Sequence, residues 1–106
     1  MRSRQRAVAD LERVTEYHWR VTGALALETV PELWKRKSTL LAPGRHVTCD
    51  LAGVERTDSA GLALLVSLLR EARASETTLQ FANIPDQLRS LARLSGVDGL
   101  LPQPGR

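Results

Sequence analysis

The stretch that most constrains this chain is a helical pattern held between two strand patterns. His46 to Leu51 alternates, with Val47, Cys49 and Leu51 on one face. Ser59 to about Ala74 then carries leucines at helical spacing, and Thr77 to Ala82 reads as a strand again. Strand, helix and strand in that order predict helices packed on a sheet. Upstream, Leu11 to Val14 reads as a short strand. Tyr17-His18-Trp19-Arg20-Val21-Thr22 alternates cleanly, with Tyr17, Trp19 and Val21 on one face and Gly23 as its end. This early pair is a hairpin, so the sheet is mixed rather than purely parallel. A further helix is predicted to start near Thr29, with Glu32 three residues on in the pattern of a capping box and Pro31 tolerated in the first turn. Leu33, Trp34, Leu40 and Leu41 supply its apolar side, Lys35, Arg36 and Lys37 its solvated face, and Pro43-Gly44 closes the segment. Pro85 opens a last helix to about Ser95, with Leu88, Leu91 and Ala92 at core spacing and Gly96 as its stop.

The expected fold class is therefore α/β, a mixed β-sheet with packed α-helices in one domain. A basic leader over residues 1–9 is expected to be loose, and an irregular tail follows residue 101. A chain of 106 residues is long enough to bury a core without disulfides or metal. Its 42% hydrophobic and 25% charged residues exclude a disordered composition. Cys49 is the only cysteine, so no internal disulfide can form, which fits a reducing compartment. No apolar stretch follows the basic start as a secretory signal requires, and none approaches the roughly 20 residues that cross a bilayer. A cytoplasmic protein is expected, free of direct membrane insertion.

Asp58-Ser59-Ala60-Gly61 is the most informative turn. By residue type it is first of all a helix start: Ser59 suits the N-cap, Asp58 places negative charge at the positive end of the helix dipole, and Gly61 permits close packing. Winding the helix at about 100° per residue puts Leu62, Leu65, Val66 and Leu69 on one stripe toward the sheet. Leu64 and Leu68 fall off that stripe, with Leu64 beside Ala60, Ser67 and Glu71. Two arrangements satisfy this pattern. Either the two leucines belong to an outer surface for another protein, or a neighbouring helix covers them.

Other chemistry finds little support. No Walker-type glycine loop is present, so nucleotide hydrolysis is not expected. Cys49 and His46 point to opposite faces of their strand, which favours a buried thiol over a nucleophile. His18 and His46 lack ligand-type partners at metal-binding spacing, so no metal and no cofactor is expected. Asp50 and Asp58 read as a strand end and a helix cap rather than as an acid pair. Aromatics at only 4% and no recognition motif argue against nucleic-acid binding, and the modest charge of +3 fits weak attraction to an acidic partner or an anionic lipid surface without singling out either. Arg2, Arg4 and Arg6 read as a solvated tail in preference to a lipid-headgroup contact.

The ordered set of motifs resembles the STAS domain family. Val21-Thr22-Gly23-Ala24-Leu25 looks like the strand-end L-x-G-x-L of that family. Asp50-Leu51 followed by Asp58-Ser59-Ala60-Gly61-Leu62 resembles its central signature, and Leu91-Ala92-Arg93-Leu94-Ser95-Gly96-Val97 its last helix and exit. The resemblance covers roughly residues 10–101. Two branches of the family are in view. Gly61-Leu62-Ala63-Leu64-Leu65 and Pro31-Glu32-Leu33-Trp34 are similar to the small STAS subunit of Mla phospholipid transporters, which would imply a non-enzymatic protein. It would sit on the cytoplasmic ATPase of an ABC transporter, and through it beside an inner-membrane permease. The alternative is an anti-sigma factor antagonist, in which the hydroxyl after the signature aspartate, here Ser59, would be phosphorylated by an anti-sigma factor kinase. The expected partner-binding residues are Asp58, Ser59, Ala60 and Gly61 at the turn, where the resemblance singles out Ser59, with Leu64, Ser67, Leu68 and Glu71 added by the winding of the helix.

Overall fold

A computed structural model describes residues 8–102. Four strands lie in the order β1 (Ala9–Thr15), β2 (His18–Leu25), β3 (His46–Thr57) and β4 (Thr78–Ala82). β1 and β2 pair antiparallel, as the hairpin pattern requires, and β2–β3 and β3–β4 pair parallel. The parallel pairs need crossover connections, which the helices supply. Helix α1 (Val30–Lys35) with a 3₁₀ turn (Lys37–Leu40) joins β2 to β3, and α2 (Ser59–Ala74) joins β3 to β4. Helix α3 (Asp86–Leu94) and a short 3₁₀ turn (Asp98–Leu100) follow β4.

Strand alternation divides the sheet into two unlike faces. Leu11, Trp19, Val21, Val47, Cys49, Leu51, Leu79 and Phe81 are buried and share the core with Leu65, Leu88 and Ala92 from the helices. The other face carries Glu12, Arg20, Thr48, Asp50 and Gln80, none of them buried. One apolar face and one polar face is the arrangement that period-two sequences specify.

Several boundaries differ from the sequence reading. Gly23 does not end β2. It lies inside the strand at φ +85°, where a Cβ would collide with the Val8 carbonyl, and Ala24 N–H donates to that same carbonyl at 2.8 Å. The glycine therefore lets β1 approach while β2 continues to Leu25. β3 likewise runs on to Thr57, because Gly53 to Thr57 pair with Thr22 to Leu25 across register shifts. Thr29 occupies the N-cap position of α1 but caps nothing with its side chain, so the expected capping box with Glu32 does not form. Its buried hydroxyl instead donates to the Ala24 carbonyl at 2.7 Å and accepts from Ala26 N–H at 3.1 Å. Ala9 belongs to β1 rather than to a leader, and Leu101 is buried. Of the leader expected over residues 1–9 and the tail expected over 102–106, residues 1–7 and 103–106 lie outside the described residues.

Candidate docking site at the start of the second helix

The end of β3, the start of α2 and the turn after β2 meet at one carboxylate. Asp58, in extended conformation, is the N-cap of α2. Its Oδ1 accepts from Ala60 N–H at 2.9 Å and Gly61 N–H at 3.2 Å, and its Oδ2 accepts from Leu27 N–H at 3.1 Å. Ser59, expected to be the cap, is instead the first helical residue. The reason is physical: a cap must stand outside the helix in extended backbone with its oxygen turned back over the first N–H groups. Asp58 meets that condition and adds a charge that complements the helix dipole. Desolvation pushes its carboxyl up, but the three N–H donors and nearby Arg56 outweigh it, and the net direction is down.

Two further contacts fix this corner. Gly61 sits so close to β2 that a Cβ would collide with the Leu25 carbonyl and the Thr57 hydroxyl. The Thr29 hydroxyl locks the turn that carries Leu27. The result is a polar knot in which Asp58 takes up the Leu27, Ala60 and Gly61 N–H groups, with side chains left over for other uses. Ser59 is exposed, and its hydroxyl has no partner among the described residues. Ala63, one turn on, is exposed, and Ala60, Ser67 and Glu71 are half-buried along the same side of α2. Leu27 is 70% exposed beside them, with the Glu28–Arg56 ion pair (3.6 Å) at its edge.

Leu64 and Leu68 do not join this surface. They are 4% and 6% exposed and lie in the core. α1 and α3 both pack against α2, so the helix is covered on its flanks as well as on its sheet side. Its buried arc centres on Gly61, Leu64, Leu65, Leu68 and Ala72, about a quarter turn from the stripe the sequence predicts. The second of the two arrangements, with leucines covered inside the protein, is the one found. Val66 and Leu69, predicted to face the sheet, are only partly buried.

Sequence reasoning missed Leu27. Alternation along β2 places it on the same face as Leu25, hence inward. The chain leaves the strand at Ala26, through the Thr29 hydroxyl turn, and Leu27 swings out. The local signal is a threonine placed to bond backward, a residue type that suits a helix cap equally well.

The remaining candidates stay apart from this corner. Asp50 lies on the open sheet face, where Asn83 Nδ2 and Ala52 N–H donate to its Oδ1 at 3.0 Å and 2.9 Å. Desolvation raises its carboxyl, but these donors with Arg20 and His18 outweigh that and hold it below the usual range. The strand between Asp50 and Asp58 spans roughly 25 Å, so the two do not form an acid pair. Cys49 is buried, and burial, with Asp50 adding, pushes its thiol up to about 12. The thiol stays protonated and unreactive near neutral pH. Among the described residues no group of three His, Cys, Asp or Glu side chains is arranged to hold a metal, and no helix is long and apolar enough to cross a membrane.

A four-stranded mixed sheet with helices packed on one side, and a helix that opens at an aspartate-capped Asp-Ser turn, define an α/β domain of recognisable type. Residues 10–102 match the family model described as "Mlab, STAS domain", and the chain belongs to the STAS domain family. Among curated proteins it is 30% identical over 79 residues to the intermembrane phospholipid transport system binding protein MlaB of Haemophilus influenzae, covering 71% of this chain and 75% of that one. It is 29% identical over 96 residues to an anti-sigma-B factor antagonist of Staphylococcus epidermidis, covering 87% and 89%. The solved structure of the anti-sigma factor antagonist SpoIIAA in its unphosphorylated form superposes with a TM-score of 0.67 at 18% identity, over 93% of this chain and 90% of that one, which places the fold.

Proposed function

We propose that this protein is a non-enzymatic docking subunit of a phospholipid-transporting ABC complex. It binds and stabilises the cytoplasmic ATPase, and is peripheral to the inner membrane through that complex. The observation that carries the reading is the match of nearly the whole domain to the Mlab type of STAS family model. The corner at Asp58 supports it: the Leu27, Ala60 and Gly61 N–H groups are held by Asp58, while Ser59, Ala63 and Leu27 present their side chains outward. A rigid, preorganised surface with one apolar anchor suits protein recognition more than chemistry.

The second reading is an anti-sigma factor antagonist, favoured by the unpartnered exposed hydroxyl of Ser59 and by the relative from Staphylococcus epidermidis. A phosphate on Ser59 would find Ala60 and Gly61 N–H already held by Asp58, so it would add charge beside a carboxylate with little gain from the helix N-terminus. Such a group acts by repelling a partner rather than by refolding the domain. Co-purification from detergent-solubilised membranes separates the readings. An ABC ATPase should be recovered with the wild-type protein and lost with Ser59→Asp, whereas recovery of a sigma-regulating kinase would overturn the transporter reading.

A further inference from the structure

The C-terminal half of α2 leaves a groove that the Asp58 corner does not use. Val66 and Leu69 from α2 and Leu100 from the last 3₁₀ turn form its apolar lining, with Arg70 and Arg73 beside them. Its volume is about 160 Å³, and an adjoining hollow of about 390 Å³ shares Leu69, Arg73 and Leu100 with it and is lined also by Glu76, Thr78 and Pro102. Leu100 is 58% exposed, although the turn that carries it is held against the core by Leu101. Neither guanidinium has a hydrogen bond, ion pair or ring contact among the described residues. An apolar trough flanked by two unpaired arginines is thus an incomplete interface in both its apolar and its electrostatic parts.

We propose that this groove docks an acidic amphipathic segment of a partner protein. The apolar ridge of that segment would lie on Val66, Leu69 and Leu100, and its carboxylates would meet Arg70 and Arg73. This rests on the reading of the protein as a docking domain but not on which partner it has. Charge complementarity selects the occupant. Residues 1–7 and 103–106, on either side of the described span, carry Arg2, Arg4, Arg6 and Arg106 and no acidic side chain, so they repeat the groove's charge. A second copy docking helix to helix would set arginine against arginine. A bilayer surface is engaged by protruding apolar residues, whereas a trough receives a ridge, and an amphipathic helix supplies one through side chains three and four residues apart.

The full chain, labelled for amide NMR, would be titrated with a synthetic helical peptide carrying leucines on one face and glutamates beside them. A glutamine-for-glutamate peptide serves as control. The proposal expects shifts confined to the neighbourhood of Val66, Leu69, Arg70 and Leu100. It expects binding at least about fivefold weaker for the glutamine peptide, and the same loss for the doubly charge-reversed protein R70E with R73E. Equal binding of both peptides, or shifts centred elsewhere, would overturn it. So would phosphatidylglycerol vesicles that bind through these arginines while the peptide does not, concentration-dependent shifts without peptide that reveal a second copy, or binding that appears only when residues 103–106 are removed. Ser59→Asp should leave peptide binding unchanged. Loss of the ATPase complex with the groove intact, or the reverse, therefore tells the failure of this inference from the failure of the transporter reading.

Discussion

The two flanks of α2 both carry aliphatic side chains and meet opposite fates. Leu64 and Leu68 on one flank are buried, while Val66 and Leu69 on the other are partly open beside Arg70 and Arg73. Hydrophobicity does not distinguish them. What does is the neighbours: α1 and α3 pack on this helix, and on the Val66–Leu69 side the covering element is a short 3₁₀ turn whose Leu100 leaves a groove. A leucine-rich helix wedged between other helices buries a wide arc, and periodicity then fixes the width of that arc better than its centre. The lesson is that an off-stripe leucine in such a helix signals a helical neighbour before it signals a partner.

The sharpest way to break this contrast is to truncate one leucine on each flank. Leu64→Ala and Leu68→Ala should each cost about 2–5 kcal/mol, because each empties a closed part of the core. Leu69→Ala, with one side already open to solvent, should cost about 1 kcal/mol or less. Urea denaturation midpoints at unchanged slope would show the difference. Equal losses on the two flanks would mean that the helix is rotated from the orientation described.

Much of this fold was legible in the sequence, and its failures have particular causes. The alternations of Trp19–Val21 and Val47–Leu51 gave strand faces correctly, because a one-residue error would have buried Arg20 and Asp50. The hairpin, the mixed sheet and the last helix followed from the same periods. The early stop assigned at Gly23 failed because a glycine inside a strand marks close approach of a neighbouring chain as readily as an end. The Asp-Ser turn was located but its roles were exchanged, since both residues cap well and only backbone conformation decides between them. Leu27 was invisible because its outward turn depends on a hydroxyl contact from Thr29 to Ala24, five residues away.

A middle-sized effect tests the knot that joins the two parts of the docking corner. Asp58→Ala removes the acceptors for Leu27, Ala60 and Gly61 N–H together and should cost about 1–2 kcal/mol. Asp58→Asn keeps one acceptor oxygen for the helix and sets an amide NH₂ against Leu27 N–H, so it should cost less in stability and loosen Leu27 selectively, read as faster amide exchange there. The pH dependence has a definite sign. The folded carboxyl lies below its ordinary value, so its contribution is complete above the unfolded pKa of about 3.9 and fades as pH falls through the folded one. The stability difference between wild type and Asp58→Asn should therefore shrink below about pH 4. A residual acid sensitivity should persist in the variant, because Asp50 is held low as well.

The smallest expected effect is the most telling for the site. Ser59→Ala removes a hydroxyl that is exposed and unpartnered at the first position of α2, where alanine is at least as good a helix former. Its stability should stay within about 0.5 kcal/mol of wild type, against about 1 kcal/mol lost if Ser59 were the cap. Thermal denaturation of Ser59→Ala beside Asp58→Ala reads this directly. A near-zero change in the isolated domain, with a weakened partner complex, would assign the hydroxyl to recognition. A loss equal to that of Asp58→Ala would return Ser59 to the cap, and the side chain would then be too engaged in its own helix to serve as a free contact.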